Sequence, residues 1–243
     1  MNYAITTRGL TKKYKDLTAV DNLDLEIIEG ELFALLGVNG AGKTTTIKML
    51  STLTRPSGGD AMVSGESIIT SPLLVKERIG VSPQETAVAP SLSVRENLSF
   101  MCKVHGIKKD KAEMKIEELS KALDLESVMD RKAGKLSGGW QRRLSIAMAL
   151  VSEPKVIFLD EPTLGLDVIA RSELWSLIES LKGKTTILLT THYMEEAEAL
   201  SDRIGVMKSG KLLFIGSAEE MKAKTGTEKI EDAFIAMIKE AKQ

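Results

Sequence analysis

The 243-residue chain is 43% hydrophobic and 28% charged, a balance that buries a sizeable core without disulfides or a structural metal. Its 33 Lys and Arg stand against 34 Asp and Glu, and the formal net charge of −1 excludes the basic surface expected of a nucleic-acid binder. Cys102, the single cysteine, cannot pair within the chain, so a reducing, cytoplasmic setting is expected. Met1-Asn2-Tyr3 opens no charged-then-apolar leader, and no uncharged apolar run reaches the roughly 18 residues of a membrane span. Any link to a membrane is therefore expected to run through a partner.

Taken in chain order, the first thirty residues read as antiparallel strands. Leu23-Asp24-Leu25-Glu26-Ile27 alternates apolar and charged, as a sheet with one wet face does. Leu32-Phe33-Ala34-Leu35-Leu36 is instead a continuous apolar run, suited to a strand buried on both faces. Thr54-Arg55-Pro56-Ser57-Gly58-Gly59-Asp60 reads as a turn. Residues 85–151 have mostly helical spacing. Ser93 followed by Glu96 is a capping box that opens a helix through Phe100. Ile116, Leu119 and Leu123, then Trp140, Leu144, Ala147, Met148 and Val151, recur at helical spacing. Two more buried runs follow, Val156-Ile157-Phe158-Leu159 and Thr186-Ile187-Leu188-Leu189. Ile230, Ala233, Phe234, Met237 and Ile238 form one helical stripe, expected to pack on its own domain rather than on a partner. The expected fold class is α/β. A core with an antiparallel flank spans 1–84 and 152–216, a helical lobe is inserted over 85–151, and C-terminal helices occupy 217–243.

Gly37-Val38-Asn39-Gly40-Ala41-Gly42-Lys43-Thr44 matches the P-loop pattern behind a buried strand. Its glycines let successive backbone N–H groups turn toward one anion, and a helix starting near Lys43 adds its positive end. In that pattern Lys43 meets the β- and γ-phosphates, and the hydroxyls of Thr44 and its neighbour Thr45 lie beside the phosphates, with Thr44 placed for Mg²⁺. Asp160 and Glu161 close a buried strand, which suits Asp160 to Mg²⁺ and Glu161 to orienting or deprotonating an attacking water. Leu136-Ser137-Gly138-Gly139 precedes an amphipathic helix: Ser137 is expected to cap it, and the two glycines expose further N–H groups. One loop already holds the phosphates of one nucleotide, so a second such loop makes most sense for a nucleotide held by another copy.

Together these motifs resemble the ATP-binding subunit of ABC transporters, in the right order over nearly the whole chain. The resemblance implies a P-loop NTPase core with an inserted helical lobe, ATP as substrate and Mg²⁺ as cofactor. It makes Tyr14 the aromatic that stacks on adenine, and Gln84 a residue that contacts metal and water and senses the membrane partner. It makes Asp167, in Gly165-Leu166-Asp167, a residue that crosses to the opposite subunit, and His192 the switch that contacts the γ-phosphate. It further implies two copies, or two homologous subunits, closing over two ATP molecules. Transmembrane permease subunits would then hold the chain at the inner face of the cell membrane. Trp140 stands where the family usually has glutamine, so a ribose contact from that side chain is not expected and Trp140 is expected to pack on the helical lobe. Leu92–Leu98 and Thr191–Glu198 look most like exporters of drugs, lipids or polysaccharides.

Other classes fit less well. A chromosome-maintenance ATPase needs a long coiled coil between Lys43 and Leu136, where heptads are absent. A translation-associated relative usually carries two such domains and basic segments, and a small GTPase or kinase lacks the Leu136–Gly139 loop. Cys102 and His105 have no neighbouring partner in the sequence and are expected to be structural.

Overall fold

The structure is a computed structural model that describes residues 2–240. β1 (Tyr3–Tyr14) and β2 (Leu17–Ile28) form a long antiparallel pair, extended by β4 (Gly58–Val63) and β5 (Glu66–Ser67) into a sheet ordered β2-β1-β4-β5. Leu23, Leu25 and Ile27 are buried while Asp24 and Glu26 face out, as the period-two pattern requires. The expected turn over Thr54–Asp60 is shorter than predicted, because its last three residues open β4. Gly58 pairs with Thr11 and Asp60 with Arg8, so the ladder to β1 overrides local turn chemistry.

The second sheet has the order β10-β9-β3-β8-β7-β6. β3 (Leu32–Gly37), β6 (Ile79–Ser82), β7 (Val156–Asp160), β8 (Thr186–Thr191) and β9 (Arg203–Lys208) run parallel, and β10 (Lys211–Gly216) is an antiparallel edge. Every residue of β3, β7 and β8 is buried. The pleat divides them between two cores: Phe33, Leu35 and Phe158 join the core shared with the antiparallel sheet, whereas Leu32, Leu36, Ile157 and Leu159 join the helical side. Burying one such side chain contributes roughly 1.5–3 kcal/mol, so the parallel sheet is the rigid centre of the molecule.

α1 (Lys43–Leu50) follows β3, and α2 (Pro72–Arg78) precedes β6. Between β6 and β7 the chain is helical: α3 (Val94–Val104), α4 (Lys109–Ala122) and α5 (Gly138–Leu150), with short 3₁₀ turns between α4 and α5. Both halves of the Ser93–Glu96 capping box form. α6 (Val168–Glu179), α7 (Met194–Leu200), α8 (Ala218–Thr225) and α9 (Ile230–Glu240) complete the chain. The apolar stripe of α9 packs inward, with Ile230, Ala233, Phe234 and Met237 buried on the helical-side core and Ile238 against it. Trp140 also lies against that core, with the Arg143 guanidinium 5.0 Å from its ring centre.

Candidate functional site

β3 ends inside the sheet at Gly37, so the chain must turn at the sheet's carboxyl edge, where α/β ligands bind. The turn closes at Gly42, which starts α1 with φ 108°, and a Cβ there would overlap the carbonyl oxygen of Ala19. Only glycine fits. Lys43 then folds back over its own loop: Nζ donates to the Gly37 carbonyl at 2.7 Å and pairs with Glu161 Oε1 at 3.1 Å.

Two neighbouring strands deliver the polar partners. At the end of β7, Asp160 Oδ1 accepts from the hydroxyls of Thr44 (3.0 Å) and Thr190 (2.6 Å). Glu161 has φ 49°, a left-handed conformation unusual outside glycine, held by its N–H donating to both oxygens of Thr190. At the end of β8, His192 Nδ1 lies 2.7 Å from Glu161 Oε2. A carboxylate oxygen only accepts, so Nδ1 donates and Nε2 is left for another partner. Lys43, Glu161 and His192 thus form a chain of three groups joined through one buried carboxylate.

The cleft above them has a volume of about 600 Å³. Tyr14, Asn39, Gly40, Ala41, Gly42, Lys43, Thr44, Thr45, Gln84, Glu161 and His192 all line it. Gly37 and Val38 lie behind the loop and offer carbonyls to Lys43, and Asp160 lies beneath it, bonded to Thr44. Tyr14 is half exposed with the Lys12 ammonium 5.0 Å from its ring centre. Thr44, Gln84 and Asp160 offer a hydroxyl, an amide oxygen and a carboxylate. This all-oxygen set suits a hard cation such as Mg²⁺, which takes its remaining ligands from water and phosphate. Among the described residues no group of three or more His, Cys, Asp or Glu comes together as a metal cage.

Ser137, Gly138, Gly139 and Asp167 do not line the cleft. They meet instead on a separate exposed face, where a Cβ on Gly138 would touch Leu166 and one on Gly139 would touch Ala170. Ser137 does occupy the N-cap position of α5, but its side chain makes no capping hydrogen bond, contrary to expectation. The first turn of α5 therefore receives no cap from Ser137, and Ser137 and Gly138 are exposed. Asp167 caps α6, accepting from the Ala170 N–H at 2.9 Å.

Some residues around the site carried no sequence signal. Leu17, Thr18, Ala19, Leu164 and Ser209 line the cleft from loops or strand ends. Thr190, inside an apolar run, orients both acids. Glu196 is fully buried, accepts from Thr163 and Trp175 at Oε1 and has no partner at Oε2. Burial pushes its carboxyl above the usual carboxylate range. Arg142 is a buried cation bonded to the carbonyls of Pro83 and Gln84.

A sequence family described as ABC transporter matches residues 20–164. The chain is 43% identical over 229 residues to the daunorubicin resistance ATP-binding protein DrrA3 of Streptomyces coeruleorubidus, covering 94% of this chain and 72% of that protein. It is 42% identical over 225 residues to the daunorubicin/doxorubicin resistance ATP-binding protein DrrA of Streptomyces peucetius, covering 92% and 68%. Among solved structures, cbiO1 from Clostridium perfringens, part of the ABC transporter complex cbiONQ, superposes with a TM-score of 0.84 at 30% identity over 92% of both chains. The dimeric ATP-binding cassette MJ0796, in a post-hydrolysis state bound to ADP and Pi, gives 0.79 at 25% identity over 88% of this chain and 98% of that one.

Proposed function

The chain belongs to the ATP-binding family of ABC transporters, and from that premise we propose that it hydrolyses ATP to drive export through separate membrane-spanning subunits. Among the described residues no helix is long and apolar enough to cross a membrane, so in this reading the chain sits at the inner face of the membrane by docking on those subunits. Relatives named for daunorubicin and doxorubicin resistance support export of a drug-like molecule.

The observation that carries this reading is the division of phosphate-facing groups between two places. Lys43, Thr44, Glu161 and His192 face the cleft, while the open first turn of α5 at Ser137–Gly139 faces outward beside Asp167. Val168 and Ile169 are 79% and 73% exposed on that same face, apolar surface suited to burial against a second copy. Each nucleotide then lies between the P-loop of one copy and the Ser137–Gly139 loop of the other. In this reading the chain divides into an α/β core (1–84, 152–216), a helical lobe (85–151) and C-terminal helices (217–243), of which residues 1 and 241–243 lie outside the described residues, with one lobe for each half-site.

In the reaction, Lys43 exchanges Glu161 for the β- and γ-phosphates as ATP enters, which frees the carboxylate. Glu161 then takes a proton from the attacking water as the water oxygen bonds the γ-phosphorus and the bond to the ADP oxygen breaks. His192, as the imidazolium, holds the carboxylate by its Nδ1–H and donates its Nε2–H to the γ-phosphate. Tyr14 stacks on the base, and the N–H groups of Val38–Thr45 receive the phosphates. Thr44, Gln84 and Asp160 would hold Mg²⁺, which supplies charge neutralisation on the β- and γ-phosphate oxygens. ADP and phosphate leave when the two copies part.

Ser137→Arg tests the shared site. The large side chain fills the space where the other copy's phosphate approaches α5, so ATP binding to the monomer is retained while ATP-driven dimerisation and hydrolysis are lost. Mixing it with Lys43→Ala restores one intact site per mixed dimer and part of the activity. Wild-type dimerisation and hydrolysis in Ser137→Arg would reduce the loop to a helix start.

A further inference from the structure

Helix α5 is fastened at three levels to the strand that leads to Gln84. Near its C-terminus it lies so close to β6 that a Cβ on Gly80 would overlap the Ala149 carbonyl oxygen. About one turn back, Ser145 Oγ and Ser82 Oγ are 2.8 Å apart in a buried hydrogen bond. Nearly a turn further, Arg142 donates from Nη1 to the Pro83 carbonyl at 2.7 Å and from Nη2 to the Gln84 carbonyl at 2.8 Å. Residues 142, 145 and 149 share one helix face and meet 84, 82 and 80 in matching order.

Arg142 is 5% exposed, and among the described residues it has no carboxylate within ion-pair distance. Its neighbour Arg143 differs, since it pairs with Asp124 and Glu173. Burial lowers the Arg142 pKa from its ordinary value, opposed only by the more distant charges of Asp160 and Glu196. Simple packing is achieved at less cost by an apolar side chain. What a guanidinium adds is a rigid planar fork. Gripping two successive carbonyls, it fixes the peptides on both sides of the Gln84 Cα and so the direction in which the Gln84 side chain leaves the backbone. The same helix starts at Gly138, about one turn before Arg142.

We propose that Arg142 is a positioning residue that ties Gln84 to the Ser137–Gly139 loop, so that α5 links the two nucleotide sites of a dimer. The proposal rests on the reading above, in which Gln84 faces the nucleotide of its own copy and Ser137–Gly139 faces that of the other. A shift of Gln84 when ATP binds in one site then moves the start of α5 in the other, because no soft segment lies between them.

The test uses steady-state hydrolysis, calorimetric ATP binding to the monomer, and thermal unfolding. Arg142→Met keeps the buried stem and removes the fork. It is expected to lower kcat about tenfold or more, the scale of losing charge-assisted hydrogen bonds. Monomer ATP affinity should stay within about twofold, since Arg142 does not line the cleft. Arg142→Lys keeps the charge and restores part of kcat. In the double variant with Gln84→Ala, kcat should match Gln84→Ala alone, because both changes break one connection. A folded Arg142→Met with a lower Tm and wild-type kcat overturns the proposal, as does a double variant whose defects multiply. If Arg142→Met does not fold, Arg142→Lys combined with Gln84→Ala carries the same comparison. Wild-type kcat in Gln84→Ala alone is a distinct failure: it removes the part given to Gln84, and the link with it.

Discussion

Replacing Glu161 by Gln changes three things at once, and the structure separates them. The carboxylate joins Lys43 (3.1 Å) to His192 (2.7 Å), and the Lys43 and Glu161 side chains are both 6% exposed. Removing one charge of a buried pair costs about 3 kcal/mol or more. The Gln amide oxygen still accepts one hydrogen bond, so we expect a net loss of about 2 kcal/mol, which lowers the ligand-free Tm by about 4–8 °C in a chain of this size. Nucleotide binding moves the other way. In the wild type Lys43 must leave an ionic partner to reach the phosphates, and in the variant it leaves a neutral one. That difference of about 1 kcal/mol predicts roughly fivefold tighter binding of a non-hydrolysable ATP analogue to the monomer. Hydrolysis should slow about a hundredfold or more, some 2.7 kcal/mol on the barrier, and the ATP-bound dimer should accumulate. Calorimetry, thermal unfolding and phosphate release read the three effects separately. Wild-type turnover would place the base elsewhere, and unchanged analogue affinity together with unchanged Tm would show that the Lys43–Glu161 pair does not hold in the nucleotide-free protein.

Lys43→Ala should remove most ATP affinity, since it deletes the charge that faces the phosphates; wild-type affinity by calorimetry would displace the site. Glu196 has a folded pKa raised by burial, so its contribution to stability is fully present below the unfolded carboxylate pKa and is lost as pH rises toward the folded value. Glu196→Gln should therefore flatten the fall of Tm with rising pH above about 4.5, whereas Glu196→Ala, which leaves Thr163 and Trp175 without their acceptor, should lower Tm at every pH. Thermal unfolding across pH checks both, and a fall as steep in Glu196→Gln as in wild type would contradict the assignment. Gly80→Ala should destabilise the fold by several kcal/mol, about 3 or more, because its Cβ meets backbone rather than a movable side chain; a Tm within a degree or so of wild type would refute that packing.

Much of this protein was legible in its sequence because the information was local. The tight glycine-rich turn at Gly37–Thr44 follows directly behind its strand, the Ser93–Glu96 capping box closes within one turn, and the buried β3, β7 and β8 show as largely apolar runs. The α9 stripe was legible for the same reason. Other features depended on which elements lie side by side. Thr54–Asp60 has turn chemistry, yet β1 draws its last three residues into a strand. Ser137 has the right residue type for a cap but makes no capping hydrogen bond, whereas Asp167 does cap its own helix. Adjacent arginines on α5 look alike in sequence, yet Arg143 reaches carboxylates and Arg142 reaches backbone carbonyls, since a step of one residue turns a helix by about 100°. The direct contact of Lys43 and His192 with one carboxylate of Glu161 was the decision of tertiary structure. They come from strands whose spatial order is β3, β8, β7 rather than their order in the chain, and only that crossover brings an ammonium, a carboxylate and an imidazole within hydrogen-bond reach.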